Sequence, residues 1–469
     1  MTKSTFVLIT YLLLCLTIHA QTSFTKTQSI SLPLPGGNAP YNIATGMIDS
    51  DAYSDIVVST TLGNHVYWLQ NDGTGTFNLQ STPIGILNNA GGVAIADLNN
   101  DGFNDVVSTS SDDGKIVWFA NDGNGNFGTE QMINNALNGP GQVYIRMIDN
   151  NSTPDVAVSA YFGNEVVWFA NDGTGNFGPK NIINNTIVSP GAFAMEDIDF
   201  DGDIDGVIGN AIAFGTPNDC RIEVFYNDGN GNFTADTNMV SLNSKDYIFS
   251  IMAEDVDDDS SLDILVTDIT GDASWFKRTE IVPGTATYAE TVIPTSIVNP
   301  ACLDLRDLDN DTHKDFVLTS ASSGSGNDIV WYKGDGSGGF GPEQLIDATQ
   351  NQAYTITFAD FENDGDLDTA TIAYADDAVN IFRNELITLS DSDFTYSELI
   401  FYPNPVQDQL YIKSPSLEYM SIELYDCVGR LVMYDYISVD EPLSLSTLES
   451  GTYFVFIGDR LNVQKLIKY

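Results

Sequence analysis

Seven acidic segments of nine residues have the residue types and spacing of a metal-binding loop. Most of them place Asp, Asn or Glu at positions 1, 3, 5 and 9, so that hard oxygen atoms converge if the segment forms a tight loop. Such carboxylates repel one another unless a cation lies between them. The pattern suits Ca²⁺, which takes about six to eight oxygen ligands, better than Mg²⁺. The segments are MIDSDAYSD (47–55), DLNNDGFND (97–105), MIDNNSTPD (147–155), DIDFDGDID (197–205), DVDDDSSLD (255–263), DLDNDTHKD (307–315) and DFENDGDLD (360–368).

Five of these segments carry an oxygen-bearing side chain at all four ligand positions. The predicted ligand sets are Asp97, Asn99, Asp101 and Asp105; Asp197, Asp199, Asp201 and Asp205; Asp255, Asp257, Asp259 and Asp263; Asp307, Asp309, Asp311 and Asp315; and Asp360, Glu362, Asp364 and Asp368. Met47 and Met147 stand at position 1 of the other two segments, which therefore form at best a weak site. Hydrated turns are the alternative, because Asp, Asn and Gly are also the usual turn residues. Position 6 is Gly in three of the five segments but Ser260 and Thr312 in the others, which predicts strain or weaker binding there.

The segments begin 50, 50, 50, 58, 52 and 53 residues apart, which indicates a repeated unit. In five units a second element of the type VWFANDGNGNF follows, while units five and seven keep only Trp275-Phe276 and Ile381-Phe382. Each unit contains four short strand-like runs, joined at Asn-Asp-Gly sequences that favour tight hairpins. Four antiparallel strands per unit of this length are typical of a β-propeller blade.

The ends of the repeat region distinguish a closed ring from an open solenoid. The seventh unit stops after three strands, at Asn384, while residues 22–32 are an isolated fourth strand. An N-terminal strand that completes the last blade removes an open edge, whereas a solenoid would need caps. The sequence therefore predicts an all-β, seven-bladed β-propeller over residues 22–387, closed by its N-terminal strand. The acidic segments and the Asn-Asp-Gly turns then lie on a first rim, and the loops between strands two and three lie on a second rim with the links between blades.

The acidic segments, the strand pattern and the NDGNGNF turns resemble FG-GAP/VCBS repeats, which occur in integrin-like seven-bladed propellers and in some secreted lectins and lyases. The resemblance covers residues 22 to about 387. It implies that the loop carboxylates bind calcium, in up to five well-formed sites, and Met47 and Met147 depart from the family pattern. The family shares no single activity, so the resemblance does not supply a function.

Residues 399–469 form a different unit of short strands without an acidic segment. YPNPVQDQLYI, ELYDCVGRLV, LESGTYFV and the basic end 465–468 resemble, in this order, the type A C-terminal sorting domain of the type IX secretion system. The resemblance implies a β-sandwich that directs the protein across the outer membrane, has the secretion machinery as its partner, and is usually cleaved. Residues 388–398 are the predicted linker and cleavage region. A permanent ligand-binding sandwich is the alternative.

Residues 1–20 combine Lys3, an apolar run and Ala20 in the order of a secretory signal peptide. That run is too short to span a membrane, and no later segment approaches the necessary length. The chain has 65 Asp+Glu against 18 Lys+Arg and a net charge of −47, which excludes nucleic acid as a partner. The remaining cysteines, Cys220, Cys302 and Cys427, have the spacing of neither a disulfide framework nor a zinc site. We therefore expect a protein that is secreted or at the outer cell surface and does not span a membrane.

Aromatic and basic residues give little sign of catalysis. All five Trp residues share one repeat position, at which Val224 and Ile381 complete the set, and this favours packing between blades over sugar stacking. His65 and His313 are the only histidines after residue 20, and no nucleophile, zinc or phosphate-loop motif accompanies them.

The sequence thus predicts a calcium-binding propeller that acts as a non-catalytic binding or adhesion module for glycan or protein. We expect any pocket on the second rim, built by residues 210–221 with Phe214, by Tyr161 and Phe162, and by residues 138–142. Two alternatives stay open at this stage: a polysaccharide lyase or hydrolase built on a propeller, and a structural scaffold of a surface complex.

Overall fold

The computed structural model describes residues 22–33, 37–211, 220–236, 240–241, 247–268, 271–279, 286–324, 326–386, 400–413, 419–426, 430–438, 442–457 and 462–469. The predicted signal peptide (1–20), the predicted linker (388–398), Phe214 and Cys427 lie outside these residues. The described residues up to 386 form one compact unit, and those from 400 onward form a second unit.

The first unit consists of β-strands and one short 3₁₀ helix, Tyr374–Asp376. The first half of its strands are β1 Phe24–Ser31, β2 Pro40–Gly46, β3 Asp55–Thr60, β4 His65–Asn71, β5 Phe77–Leu79, β6 Gly85–Ile86, β7 Ala90–Ala96, β8 Asp105–Ser110, β9 Lys115–Phe119, β10 Gln131–Asn134, β11 Pro140–Arg146, β12 Asp155–Ala160, β13 Glu165–Phe169 and β14 Asn181–Asn184. The second half are β15 Pro190–Glu196, β16 Asp205–Asn210, β17 Arg221–Asn227, β18 Phe233–Ala235, β19 Val240–Ser241, β20 Ile248–Glu254, β21 Asp263–Asp268, β22 Asp272–Thr279, β23 Thr287–Ile293, β24 Pro300–Arg306, β25 Asp315–Ser320, β26 Ile329–Gly334, β27 Phe340–Asp347, β28 Ala353–Ala359, β29 Asp368–Ala373 and β30 Ala378–Asn384.

The described strands of this unit form seven antiparallel sheets, one for each sequence repeat. Six sheets use successive strands: β2-β3-β4-β5 with β6, β7-β8-β9-β10, β11-β12-β13-β14, β15-β16-β17-β18 with β19, β20-β21-β22-β23, and β24-β25-β26-β27. The last sheet has the order β28-β29-β30-β1, because the N-terminal strand pairs antiparallel with β30, with Phe24 opposite Asn384 and Ser31 opposite Ala378. The prediction of a β-propeller closed by its N-terminal strand is therefore confirmed.

The second strand of every sheet is buried at all six of its positions. Neighbouring sheets cover both of its faces, which is why sequences such as DIVVST (55–60) and DVVSTS (105–110) contain consecutive β-branched residues rather than an alternating pattern.

The hydrophobic core is divided into clusters between successive sheets. Between the second and third sheets, Val107 and Trp118 pack with Val158 and Phe169. The cluster that joins the last sheet to the first includes Phe77 and Phe361, whose ring centroids lie 4.8 Å apart in an edge-to-face arrangement. The first strands of neighbouring sheets contact one another around the axis of the ring. Those of the first, third and seventh sheets are buried at two of seven positions and partly buried at the others.

The second unit contains strands β31 Ile400–Tyr402, β32 Gln409–Lys413, β33 Tyr419–Asp426, β34 Leu431–Ser438, β35 Leu443–Ser444, β36 Gly451–Ile457 and β37 Asn462–Lys468. They form a sheet β31-β32-β35 and a sheet β34-β33-β36-β37. Leu410 of the first sheet and Leu424 and Val455 of the second belong to one buried cluster, as expected of a β-sandwich. Within the described residues, no helix has the length and hydrophobicity to cross a membrane.

Candidate functional site

Each acidic segment forms the hairpin loop between the first and second strands of its sheet, and position 9 is the first residue of the second strand. The loops lie on the same rim as the Asn-Asp-Gly turns, as predicted. Asp49 forms an isolated β-bridge with Asn124 of the next repeat, and the side-chain amide of Asn100 donates to the Gly173 carbonyl at 2.9 Å. The acidic loops of one repeat therefore contact the turns of its neighbour.

The carboxylate at position 9 is bonded to the backbone on both sides. In the fourth repeat, the Asp205 Oδ1 accepts the N–H of Asn227 at 2.8 Å, and its Oδ2 accepts the N–H of Ile198 at 3.0 Å. The same pair of bonds is made by Asp55, Asp105, Asp155, Asp315 and Asp368. Position 9 thus ties the loop to the end of the third strand, also in the two repeats that lack the first ligand. The acidic pattern predicts position 9 only as a metal ligand, so this structural role is additional.

Burial raises the pKa of these position-9 carboxyls, although the backbone donors act in the opposite direction. The pKa rises to about 6 for Asp105 and to about 7 for Asp205 and Asp315. For Asp368 the pKa rises to about 9, because the neighbouring Glu362 carboxylate reinforces the effect of burial. Without a cation, the buried loops therefore hold negative charge at a considerable cost in free energy.

Position 1 organises the loop backbone in the five predicted sites. Asp97 Oδ1 accepts the N–H of Asp101 at 3.2 Å, and its Oδ2 accepts the N–H of Gly102 at 2.9 Å. Asp197, Asp255, Asp307 and Asp360 make the equivalent pair of bonds. Met47 and Met147 are instead about half exposed, at 51% and 58%, and their loops lack this clamp. The distinction between five complete loops and two incomplete ones is thus visible in the backbone bonding.

Position 6 has a left-handed backbone conformation in all five complete loops. Gly102, with φ +90°, adopts it without steric cost, and so do the glycines of two other loops. Ser260 has φ +65° and Thr312 has φ +79°, which is unfavourable for a residue with a Cβ and most of all for a branched one. The strain predicted for these two loops is therefore present.

Three loops bring carboxylate oxygens of three residues to within 4.8 Å of one another: Asp197, Asp199 and Asp205; Asp255, Asp257 and Asp259; and Asp307, Asp309 and Asp311. In the loop 97–105, position 3 is Asn99, which would offer its amide oxygen to the ion. Asp257 Oδ1, Asp309 Oδ1 and Glu362 Oε2 are buried and have no hydrogen-bond partner. Burial and then the charge of Asp201 raise the pKa of Asp199, and Arg278 of the next repeat lowers it only in part. Hard, buried oxygens of this kind fit a calcium ion in a loop that no basic side chain enters.

The asparagine that ends the third strand connects adjacent repeats. Asn121 Nδ2 donates to the carbonyl of Ile48 in the preceding repeat at 2.6 Å and to that of Asn104 in its own loop at 2.9 Å. Asn71, Asn171 and Asn227 make the corresponding pair of bonds, and Asn384 donates to the carbonyl of Leu308 in the preceding repeat. The Asn-Asp-Gly pattern predicts a hairpin turn here and not a contact between repeats. The recurrence of Asn at this position in five repeats is the sequence signal for that contact.

The five Trp side chains are buried, with exposed fractions between 3% and 7%, so the prediction that they pack between blades is confirmed. A Cβ added at Gly125 would lie 2.0 Å from the Trp68 ring, and one at Gly175 would lie 2.3 Å from the Trp118 ring. Trp168 and Trp275 likewise pack against Gly231 and Gly338 of the following repeats. Trp331 packs instead with Ile356 and Phe382 of the last sheet.

A cavity lined by tyrosines opens on the second rim, opposite the acidic loops. It consists of three adjoining spaces of about 480, 300 and 40 Å³ that all contain Tyr41, and we call it the tyrosine cavity. Tyr161, Phe162 and Gly139 to Gln142 line it, as the sequence predicted, whereas residues 212–219 lie outside the described part of the chain.

Aromatic residues of different blades meet in the tyrosine cavity. The Phe249 ring of the fifth sheet lies 5.6 Å from that of Tyr354 in the seventh, and Tyr354 lies 4.9 Å from Tyr374 and 6.2 Å from Tyr41. Burial raises the pKa of Tyr41, Tyr354 and Tyr247, which therefore keep their hydroxyl protons at neutral pH. Among the described lining residues, Asp112 is the one charged side chain.

The two histidines lie elsewhere. His65 stacks on Tyr67 with ring centroids 5.3 Å apart, and His313 Nδ1 is 3.2 Å from Asp258 in the neighbouring acidic loop. Neither belongs to the described lining of the tyrosine cavity.

Known protein families match both units. Residues 400–469 match the secretion system C-terminal sorting domain, and the FG-GAP-like repeat matches residues 48–108, 97–158 and 307–371. A search of curated proteins finds no significant match.

Solved structures share the architecture at low sequence identity. BBS1N, in mercury-soaked crystals of its complex with ARL6DN, is 9% identical over 78% of this chain and 98% of that chain, with a TM-score of 0.53. In lead-soaked crystals of the same complex, BBS1N is 8% identical over 80% and 99%, with the same TM-score. Virginiamycin B lyase from Staphylococcus aureus is 13% identical over 77% and 99%, with a TM-score of 0.48. The chain is an exported protein in which a β-propeller with FG-GAP-like repeats precedes a secretion system C-terminal sorting domain.

Proposed function

We propose that this exported propeller is a calcium-stabilised, non-catalytic binding module that holds a neutral glycan in the tyrosine cavity. The acidic loops on the first rim supply stability, and the cavity on the second rim supplies recognition. The observation that carries the proposal is the convergence of uncharged aromatic and amide side chains at one mouth of the ring.

Calcium is the ion that the loop chemistry favours. Aspartate oxygens from positions 1, 3 and 5 provide several hard ligands from the protein itself, which suits Ca²⁺, with about six to eight oxygen ligands, better than Mg²⁺, which usually keeps several waters. When bound, the ion neutralises carboxylates that would otherwise repel one another. The chain's own residues do the rest: position 1 clamps the loop backbone, and position 9 ties the loop to the third strand.

The lining of the tyrosine cavity suits a sugar ring. Tyr41, Tyr354 and Phe249 offer apolar faces on which the C–H groups of a sugar can pack. Asn42 and Gln142 stand beside them. Their amide oxygens accept the N–H groups of Val93 and Phe193, and their amide nitrogens can donate to sugar hydroxyl groups. A concavity that combines aromatic side chains with a few convergent polar groups is typical of small-ligand sites.

Charge selects among glycans. The chain carries a net charge of −47, so its field repels polyanions such as uronate-rich or sulfated chains. Asp112 is the one carboxylate in the described lining, whereas glycoside hydrolysis commonly uses a pair of carboxyl groups. These features favour binding of a neutral glycan over its cleavage.

The test is a panel of neutral and anionic polysaccharides, with retention of the protein and release of products measured separately. We expect retention by a neutral glycan, no product, and loss of retention in Tyr354→Ala. Ile182→Ala is the control, because Ile182 is an exposed apolar residue, 47% accessible, on the outer strand β14 and outside the described lining of the cavity. Product release would overturn the proposal in favour of an enzyme, and retention of no glycan would favour a scaffold.

A further inference from the structure

One position of the third strand reaches into the acidic loop of its own repeat. Position 9 of the acidic loop fixes the register, because its Oδ1 accepts a backbone N–H from the residue that comes directly after this third-strand position. That donor is Asn121 for Asp105, Arg278 for Asp263 and Gly334 for Asp315. The preceding residues are therefore equivalent in all repeats. They are Gln70, Ala120, Ala170, Tyr226, Lys277, Lys333 and Arg383.

In the last three repeats this residue is a cation, and it is bound to the loop carboxylates. The Lys277 ammonium contacts Asp257 and lies 2.9 Å from Asp259 Oδ2. The Lys333 ammonium contacts Asp309 and lies 2.7 Å from Asp311 Oδ2. Each ammonium thus bridges positions 3 and 5 of its loop.

In the seventh repeat the guanidinium of Arg383 lies 2.7 Å from Glu362 Oε1, at position 3 of the loop. The acceptor side chains are shielded from solvent, with exposed fractions of 8% for Asp257, 4% for Asp309 and 12% for Glu362. The cations therefore stand among the oxygens that would ligate a divalent ion, and a second positive charge would be repelled from the same oxygens.

The second and fourth repeats differ. Ala120 carries no charge, and the Tyr226 hydroxyl donates to Asp236 at 3.3 Å. The positive charge of Arg278, from the neighbouring repeat, lowers the pKa of Asp199. The loop 197–205 contains five aspartates, however, so one guanidinium leaves most of the negative charge of the loop uncompensated.

We propose that Lys277, Lys333 and Arg383 are built-in counter-cations that take the place of the divalent ion in repeats five to seven, so that calcium binds in the loops 97–105 and 197–205. The inference rests on the proposed role of calcium and reduces the five sites expected from the sequence to about two. It also explains how loops with strained Ser260 and Thr312 remain closed without an ion.

The test is the calcium content of the mature protein after equilibrium dialysis, for the wild type and for two opposite variants. Lys277→Met should gain one ion relative to the wild type, and Ala120→Lys should lose one. Lys115→Met is the matched control, because it removes a lysine from the other end of a third strand, and its calcium content should equal that of the wild type. Melting in EDTA gives a second readout, in which Lys277→Met melts earlier than the wild type and recovers on addition of calcium.

The outcomes separate this inference from the proposal on which it rests. If the wild type binds an ion in every complete loop and neither variant changes that number, the lysines are displaced by calcium, and the inference is wrong while the calcium proposal stands. If neither the wild type nor the variants bind calcium, both fail.

Discussion

The ion-free propeller should lose stability as the pH rises from about 4 to about 7. Burial raises the pKa of Asp205 from 3.8 to about 7, so the folded protein holds a proton that the unfolded chain releases. The contribution of such a group is full below the unfolded pKa and is lost as the pH passes through the folded pKa. This difference between the folded and unfolded pKa of Asp205 corresponds to about 4 kcal/mol in the free energy of unfolding. Burial also raises the pKa of Asp315 to about 7 and those of Asp105 and Asp263 to about 6. All four groups therefore make the folded state less stable as the pH rises.

The assay is thermal unfolding in EDTA over this pH range, repeated with saturating calcium. We expect the melting temperature to fall with pH in EDTA and to vary less in calcium. Asp205→Asn should reduce the slope by up to about 1.4 kcal/mol per pH unit, the value for one proton. Asp172→Asn is the control for general charge repulsion, because hydrogen bonds from Thr174 and Asn176 lower the pKa of Asp172 to about 2, below the window. A melting temperature in EDTA that is level or rises with pH, or equal slopes for the two variants, would refute the reasoning.

Three further changes test the contacts between repeats and within the loops. Asn121→Ala removes bonds to Ile48 and Asn104 and should lower the free energy of unfolding by about 2 kcal/mol in a urea titration, whereas the exposed Asn124→Ala should change it by under about 0.5 kcal/mol. Gly175→Ala should cost more than about 2 kcal/mol in the same titration, because its Cβ would lie 2.3 Å from Trp118 at φ +78°; equal stability would contradict the packing described. Thr312→Gly should raise the melting temperature, with a gain of up to about 1 kcal/mol, since it relieves a left-handed threonine; a lower melting temperature would show that the hydroxyl or methyl group matters more than the strain.

The ring was predictable because its determinants recur along the chain. The spacing of the acidic segments set the blade length, and the missing strand after Asn384 required the partner that Phe24–Ser31 provides. The extent of the fourth strands was less predictable. In the second repeat the fourth strand is only Gln131–Asn134, because an outer strand has a neighbour on one side only and needs little regular pairing.

The chemistry of the site was predictable only where it is local in sequence. The clamp made by Asp97 spans five residues, and its pattern is legible in each acidic segment. The contact of Lys277 with Asp257 spans twenty residues and depends on strand register, which composition does not reveal. The tyrosine cavity is less local still, since Phe249 and Tyr354 come from different blades and meet only when the ring closes.

The central claim is that divalent cations stabilise this propeller by binding in its acidic loops, in particular the loops 97–105 and 197–205. The most direct measurement is the melting temperature of the mature protein after EDTA treatment, compared with the same sample after calcium is restored. Our account predicts a melting temperature several degrees lower in EDTA, with full recovery in calcium. Identical melting temperatures in the two conditions would contradict it.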